Sequence, residues 1–270
     1  MTEFTRFIKS GTEKIENVNF PEVEIVPMNY NINGSTASPL RKQAVVNTQT
    51  GQAYSFVGAD YGLIRHETAI KHVLEAIPQQ WGKQISSVWL SPDGGRLSVR
   101  IQFPEASEGV TTGDVVCPSV YLVNSYDKSW PFMATFGAFR FVCSNGMVVG
   151  KKFGEYRRKH IGEFNQDQLR TMLDNSIEMF QDEIGVWRSW SERPAMPEHY
   201  ENWIETLQLG KRAVEAIEQT VEIKSGLMVH DMKIKTLSLW ELFNIFTQFI
   251  THSVSENQRI ILENRMKQIV

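Results

Sequence analysis

A hairpin signal in the first half of the chain sets the fold class. In the segment ISSVWLSPDGGRLSVRIQF, two runs rich in β-branched and aliphatic residues flank Pro92-Asp93-Gly94-Gly95. Asp and Gly favour tight turns because they tolerate the positive φ angles that such turns require. The segment therefore predicts two antiparallel strands joined by a short turn.

Neighbouring segments extend this pattern. RKQAVVNTQTGQAYSFVGADY reads as strand, turn at Thr50-Gly51 and strand, and VEIVP at positions 23–27 is a further strand candidate. RHETAIKHVLEAI has helical spacing and ends at Pro78. DVVCPSVYLVNSYD and the stretch from about Thr135 to Val142 predict two more strands, whereas positions 107–113 are expected to form a polar connection.

The second half of the chain is predicted to be helical. NQDQLRTMLDNSIEMFQDEI has the apolar stripe of an amphipathic helix of about five turns, and a tryptophan-rich link around Pro194 and Pro197 follows it. Three further helices are expected in ENWIETLQLGKRAVEAIEQ, TLSLWELFNIFTQFITHS and ENQRIILENRMKQI. The predicted class is α+β: an antiparallel β-sheet with packed helices (a β-β-β-α-like core), followed by a mostly helical C-terminal region. We expect an N-terminal arm at 1–40, the core domain at 41–185 and the helical region at 186–270.

The sequence lacks the motifs of several classes of nucleotide-binding protein and hydrolase. No Walker A loop, GxGxxG, HExxH or GxSxG occurs, so no cofactor is expected. Cys117 and Cys143 lack metal-ligand spacing and fit free thiols in a reducing compartment. No apolar run reaches the roughly 20 residues that cross a membrane, and the first residues do not resemble a signal peptide. We expect a protein of the bacterial cytoplasm with no membrane partner.

The most unusual stretch of the sequence is FGAFRFVCSNGMVVGKKFGEYRRKH, positions 136–160. From Arg140 to His160 it carries six basic residues against a single acid, Glu155, although the whole chain has a net charge of −3. Such a local excess attracts polyanions. Two aromatic residues are interleaved with the basic ones, which suits combined contacts to phosphates and base faces. The predicted nucleic-acid-binding residues are Arg140, Lys151, Lys152, Phe153, Tyr156, Arg157, Arg158, Lys159 and His160.

Other interpretations of these patterns remain open. A basic cluster can be a solvated surface that only keeps the protein soluble. A metal-dependent nuclease would need several acids near the basic surface, and Asp114, Asp127 and Glu155 are the candidates. The tryptophans of the C-terminal half are residues that protein interfaces favour, although they are also ordinary core residues. These are Trp187, Trp190, Trp203 and Trp240.

Positions 121–162 resemble a known family. They contain Asn124-Ser125-Tyr126-Asp127, then Phe139-Arg140, then CSNGM at 143–147 and a basic stretch that ends in His160. This order is similar to the phage/plasmid-like proteins of domain of unknown function family 932. Val57-Gly58 and Tyr61 match the upstream part of the pattern, and the resemblance covers about positions 41–185. The family often has His where this chain has Tyr126, so no catalytic role is assigned to that position.

The resemblance implies a role in phages, plasmids or other mobile elements. The order of helix, hairpins and long helix is also similar to the core of single-strand annealing recombination proteins, which is an analogy at the level of fold. We therefore expect a non-enzymatic protein that binds and anneals single-stranded DNA in recombination or replication without ATP, assembled as a homo-oligomeric ring or filament. The alternative is a phage-encoded protein-interaction module that inhibits or decoys a host defence factor, with a host protein as its partner.

Overall fold

The computed structural model describes most of the chain, namely residues 18–37, 41–140, 153–161, 164–225 and 237–254 with positions 258, 261, 262, 265, 266 and 269. Its strands are β1 (Val23–Pro27), β2 (Tyr30–Ile32), β3 (Ser35–Ala37), β4 (Lys42–Asn47), β5 (Ala53–Gly58), β6 (Gln84–Leu90), β7 (Arg96–Gln102), β8 (Glu108–Thr111), β9 (Asp114–Ser125), β10 (Phe132–Arg140) and β11 (Gly154–Arg158). Its helices are α1 (His66–Ala76), α2 (Gln166–Glu192), α3 (Pro197–Leu207), α4 (Lys211–Ser225) and α5 (Leu239–His252).

The main sheet has the order β11-β10-β9-β7-β6, and β8 pairs with β9. All of its pairings are antiparallel, and the predicted β6–β7 hairpin is confirmed. At the hairpin turn the Asp93 carboxylate accepts a hydrogen bond from the Gly95 N–H at 3.0 Å, and Gly94 has a φ of 73°. A residue with a side chain would be strained at that φ, so the turn depends on glycine.

A smaller sheet has the order β1-β4-β5. It confirms the predicted strand at Val23–Pro27 and the hairpin around Gly51, whose φ is 74°. Val23, Val45 and Val57 form a second apolar cluster with Tyr126. Part of the segment predicted as an N-terminal arm is therefore an integral strand of this sheet. The short hairpin of β2 and β3 follows β1 and is exposed.

Alternation along the strands separates the main sheet into two faces. On β9, Val116, Val120 and Leu122 belong to the main core. Val123 is also buried, but it lies on the other face and outside that core cluster. The helices α1 and α2 pack on the core face, which we call the helix face, and we call the opposite side the open face.

Helix α2 crosses the helix face and is longer than predicted. It spans 27 residues, about 40 Å at 1.5 Å per residue. The predicted segment begins at Asn165, and in the structure the Asn165 side chain caps the helix by accepting a hydrogen bond from the Gln168 N–H at 2.9 Å. The predicted tryptophan-rich link is wrong in part, because Trp187 and Trp190 lie within this helix and are buried.

The C-terminal helices share one core with the sheet. The Trp240 indole N–H donates to the Asp114 carboxylate at the start of β9 over 2.7 Å, and its ring lies 5.3 Å from that of Trp187. The predicted domain boundary at residue 185 falls inside α2, so the helical region does not have a separate core. The α+β class, the antiparallel sheet and the helical C-terminal region are confirmed.

Two further differences concern element boundaries. The segment predicted as a polar connection at 107–113 contains β8, which forms an antiparallel pair with the first residues of β9. The single helix predicted from Glu201 to Gln219 is two helices, α3 and α4. The break occurs where Gln208 takes the left-handed conformation with a φ of 52° before Gly210. Of the last predicted helix, only single positions such as Leu262 and Met266 lie among the described residues, and both are helical.

Candidate nucleic-acid interface

Strand β11 carries the centre of the predicted basic site at the edge of the main sheet. Arg157 and Lys159 are exposed. Arg157 lies opposite Met133 of β10 and faces the open side of the sheet. Arg158 points to the helix face, where its guanidinium lies 5.8 Å from the Phe164 ring and donates to the Ile161 carbonyl at 3.1 Å. The side chains of these two adjacent arginines therefore lie on opposite faces of the main sheet.

The two aromatic residues of the predicted site belong to the core. Phe153 is 5% exposed and Tyr156 is 8% exposed. The Phe153 ring lies 5.9 Å edge-to-face from those of both Phe136 and Phe180, and Tyr156 contacts Phe132 in the same way. The expectation that either ring stacks on a base is wrong, because these rings fix β11 against α2.

Gly154 allows this close approach of strand and helix. A Cβ at this position would collide with the Ser176 hydroxyl and come within 2.9 Å of the Met172 sulfur. The Ser176 hydroxyl is itself held by a hydrogen bond to the Met172 carbonyl at 2.6 Å. The strand that presents Arg157 is thus seated directly on α2.

We expect Gly154→Ala to destabilise the protein by about 1–3 kcal/mol, because β11 or α2 must shift to accommodate the methyl group. Urea unfolding followed by circular dichroism measures the change. Gly185→Ala is the matched control, since nothing lies within 4 Å of an added Cβ there. Equal stability of the Gly154→Ala and wild-type proteins would contradict this packing.

His160 was predicted to contact DNA, but the structure places it in the interior, 6% exposed. Its ring stacks on that of Tyr61 at 5.3 Å, and its carbonyl accepts a hydrogen bond from the Gly62 N–H at 2.9 Å. Burial lowers the pKa of His160, so the ring is held neutral. A buried neutral histidine does not neutralise a phosphate, and this predicted role is wrong. His160 anchors the end of β11 to the loop before α1.

Of the remaining predicted residues, only Arg140 has a described backbone position, and it lies far from Arg157. Arg140 is the last residue of β10, where its backbone pairs with Val116. Met133, the partner of Arg157, lies seven residues earlier on the same strand, about 23 Å away at 3.3 Å per residue. Lys151, Lys152 and the Asn145-Gly146 turn lie outside the described residues.

The open face carries functional candidates that sequence reasoning missed. The register places Arg100, Tyr121 and Thr135 side by side on β7, β9 and β10. All three are half-buried, and Arg157 lies in the adjacent row beside Met133. The signal was present in the sequence, because RLSVRIQ alternates polar and apolar residues and so predicts a polar face for Arg100.

An aromatic and arginine cluster closes one end of the open face. The Arg96 guanidinium lies 5.9 Å from the Trp130 ring and donates to the Asp127 carboxylate at 2.6 Å. Trp130 in turn contacts Trp89 at 5.8 Å. Burial tends to raise the pKa of Asp127, but hydrogen bonds from Ser129 and Arg96 outweigh it and lower that pKa. At the other end, Cys117 and Ser119 are buried, and the exposed side chains of β11 are those of Glu155 and Arg157.

A buried polar network supports the same end of the sheet from the helix face. The His66 Nε2–H donates to the Gly94 carbonyl at 3.0 Å, which leaves Nδ1 to accept from the Asn124 amide at 3.0 Å. Asn124 also donates to the Ile64 carbonyl at 2.9 Å, and the Tyr126 hydroxyl accepts from the His66 backbone N–H at 2.8 Å. Positions 124 and 126 of the predicted motif are therefore structural and join the sheet to α1.

The candidates for other functions are dispersed or buried. Asp114 is the first residue of β9 and Asp127 lies two residues after its end. The 12-residue strand spans about 36 Å, so the two carboxylates cannot share a metal ion. Within the described ranges no group of His, Cys, Asp and Glu side chains is arranged to hold a metal ion. The four tryptophans proposed as interface anchors are at most 8% exposed and belong to the core.

Comparisons with known proteins identify relatives of unknown function. The sequence is 45% identical over 86 residues to the UPF0380 protein YfjQ of Escherichia coli K12, a match that covers 32% of this chain and 28% of that protein. It is 45% identical over 56 residues to the UPF0380 protein YafZ of the same organism, covering 21% of this chain and 20% of that protein. The matched stretches thus span less than a third of either relative.

No solved structure matches the chain. Among the helices of the described residues, none combines the length and apolar character that crossing a bilayer requires. The sequence model of the domain of unknown function DUF932 matches residues 53–268, which include the sheet, α2 and the C-terminal helices. The chain therefore belongs to the DUF932 family.

Proposed function

We propose that this protein binds single-stranded DNA and promotes annealing of complementary strands in a phage or other mobile element, without ATP. The observation that carries the proposal is the exposed pair Arg157 and Lys159 at the edge of the main sheet, next to the open face with Arg100 and Tyr121. On a chain with a net charge of −3, these cations form a local site for phosphates. Lys151 and Lys152 lie three and two residues before the start of β11 in the sequence and would add to this site.

The proposed mechanism needs neither a metal ion nor a nucleotide. Cationic side chains reduce the repulsion between two phosphate backbones, and bases that stay accessible can then pair spontaneously. Assembly into a homo-oligomeric ring or filament would align several such sites along one strand. The annealing activity and the assembly rest on the resemblance of the sequence to phage/plasmid-like proteins, and on the analogy between its order of elements and that of single-strand annealing proteins.

A titration tests DNA binding directly. Binding of a fluorescently labelled oligo(dT) is measured by anisotropy between 50 and 200 mM salt, and the affinity is expected to fall steeply. Each neutralised phosphate contributes about −0.7 to the slope of log K against log salt for single strands. Absence of binding, or binding that salt leaves unchanged, would contradict the proposal. Particle images with and without DNA test the ring or filament.

The double variant Arg157→Glu/Lys159→Glu is expected to bind oligo(dT) at least about tenfold more weakly at 50 mM salt, with a smaller salt slope, because two phosphate contacts become repulsive. Lys211→Glu/Arg212→Glu is the matched control. It makes the same change in charge at exposed positions in the first turn of α4, where glutamate is favourable to the helix. Equal loss of binding in both variants would show that only net charge matters.

A further inference from the structure

We propose that strand β6, at the edge of the main sheet, pairs with β6 of a second copy of this chain, so that two copies form a two-fold symmetric dimer with one continuous sheet. The inference does not depend on DNA binding and goes beyond the proposed function by naming a contact between copies. It is carried by the backbone groups on the outer side of β6 and by the way the other outer strands are protected.

The outer side of β6 presents unpaired backbone groups at the edge of the main sheet. At the hairpin turn, the Ser91 N–H donates to the Arg96 carbonyl at 2.9 Å, so these two residues form a hydrogen-bonded pair. Leu90 lies opposite Leu97 in the next pair. Because bonded and non-bonded pairs alternate in an antiparallel ladder, the N–H and C=O groups of Leu90 and Val88 point away from β7. Within the described part of the chain, no hydrogen bond reaches these outward groups.

The other outer strands have features that discourage pairing with another chain. On three of them a cationic side chain donates to a backbone carbonyl. The pairs are Arg65 with Val23 on β1 at 3.1 Å, Lys128 with Phe56 on β5 at 2.9 Å, and Arg188 with Gly109 on β8 at 2.9 Å. Strand β11 carries Glu155, Arg157 and Arg158, and β2 and β3 have only three residues each. Charges and short length are common ways to block an edge.

Strand β6 lacks these features. Its seven residues, QISSVWL, include no charged residue and no proline. The register with β7 shifts between Ile85 and Ser87, but the second half of the strand pairs regularly. Val88 and Leu90 pack against the main core and are still only half-buried. A neighbouring strand would use the outward backbone groups and also cover these apolar side chains.

The occupant that fits this edge is the same strand of a second copy. Lys83 precedes β6 and Asp93 follows it, and both are exposed. An antiparallel pair of identical strands brings the Lys83 end of each copy to the Asp93 end of the other, so opposite charges meet at both ends. A parallel pair would bring like charges together. A two-fold interface of this kind is self-complementary and closes at two copies.

Such a dimer would carry a cationic β11 edge at each end of one sheet. Five strands from each copy form the row, because β11 and β6 are the two outer strands of the main sheet. The two β11 strands would be about 43 Å apart at about 4.8 Å per strand. A DNA strand long enough to reach both edges would gain affinity through bivalent binding.

Sedimentation velocity and amide hydrogen exchange test the dimer and its location. The mass is expected to approach twice 31.0 kDa as the protein concentration rises. The Val88 and Leu90 amides are expected to exchange at least about tenfold more slowly in the dimer than after dilution to the monomer. The Trp89 amide faces β7 in both states, so its exchange should not respond to dilution.

Two variants weaken the contact in different ways. Val88→Pro removes the outward N–H without removing a bond from the β6–β7 ladder, and it should raise the dissociation constant of the dimer at least about tenfold. Ser87→Lys adds a cation beside the two-fold axis in each copy, so the dimer should weaken, and less so at high salt. Ser35→Lys is the matched control on the exposed strand β3 and should dimerise like wild type.

Either of two results with wild-type protein would overturn the inference. One is a protein that stays monomeric at all concentrations. The other is a dimer in which the Val88 and Leu90 amides exchange as fast as in the monomer, because the contact would then lie elsewhere. If Val88→Pro does not fold, as judged by circular dichroism, Ser87→Lys and the exchange rates of wild type decide the question.

These outcomes are separate from the test of DNA binding. Arg157 and Lys159 lie at the opposite edge of the sheet from β6, so a monomeric variant should still bind oligo(dT) with a salt-dependent affinity. A monomeric wild-type protein that binds oligo(dT) would reject the dimer and leave the proposed DNA binding intact. A β6 dimer that binds no DNA would reject the proposed function and support this inference.

Discussion

Replacing Trp240 with alanine is expected to lower the free energy of unfolding by about 3–5 kcal/mol and to destabilise the sheet as well as the helices. The indole is 3% exposed and packs on Trp187 and Phe243, with ring centroids 5.3 and 5.7 Å away. Its removal leaves a cavity and also takes the indole N–H donor away from the buried Asp114 carboxylate. Since small domains have total stabilities of about 5–15 kcal/mol, this is a large share.

The measurement must distinguish one cooperative unit from two. Urea unfolding should show a single transition for wild type, and hydrogen exchange of amides in β9 and β10 should accelerate in Trp240→Ala. Trp240→Phe keeps an aromatic ring and loses only the N–H donor, so its loss is expected to be about 1–3 kcal/mol. Unchanged protection of β9 and β10 in the alanine variant would mean that the C-terminal helices form a separate unit, as the boundary at residue 185 predicted.

Local sequence signals identified most elements of the fold. The β6–β7 hairpin follows from Asp93 and Gly94 at a turn, and α1 follows from apolar spacing that ends at Pro78. Such signals act within a few residues and do not depend on the rest of the chain. Where the local signal was weak, the elements were missed: β8 consists of EGVT, and its pairing is decided by β9.

The site was predicted less well because charge dominated the interpretation of positions 136–160. Phe153 and Tyr156 stand among lysines and arginines in the sequence, yet both are buried because β11 lies against α2. His160 follows three basic residues and is also buried, since the loop at Tyr61 covers it. Conversely, Arg100 and Tyr121 lie more than 30 residues from Arg157 in sequence, and only the strand order brings them onto one face. Composition can locate a charged segment, but strand register decides which side chains share a surface.

Lowering the pH from 7 to 5 is expected to reduce the free energy of unfolding by about 2 kcal/mol through His66 alone. Burial lowers the pKa of His66 to about 3, with a smaller contribution in the same direction from His160 and an opposing one from the hydrogen bond to the Gly94 carbonyl. The ring is fully buried, and its Nδ1 is occupied as an acceptor from Asn124. Protonation would therefore break the network that joins α1 to the sheet.

The sign follows from proton binding in the two states. In the unfolded chain His66 titrates near 6.5, so below that pH the unfolded state takes up a proton that the folded state does not bind. The contribution of His66 is present above pH 6.5 and is lost as the pH falls toward 3. His160 acts in the same direction because its pKa is also lowered by burial. His72 is shifted the same way but is more exposed, so we expect less from it.

Between pH 7 and pH 5 the unfolded histidines take up protons, whereas a carboxylate such as that of Asp127 does not change its charge. The pKa of Asp127 is lowered from 3.8, so that group stays ionised and contributes no change in this range. In His66→Gln, the difference in unfolding free energy between pH 7 and pH 5 should be about 2 kcal/mol smaller than in wild type, although the variant is less stable at pH 7. His252→Gln is the control, since His252 is exposed at the end of α5. A free energy of unfolding of His66→Gln that depends on pH as strongly as that of wild type would contradict a neutral, buried His66 that joins α1 to the β6–β7 hairpin.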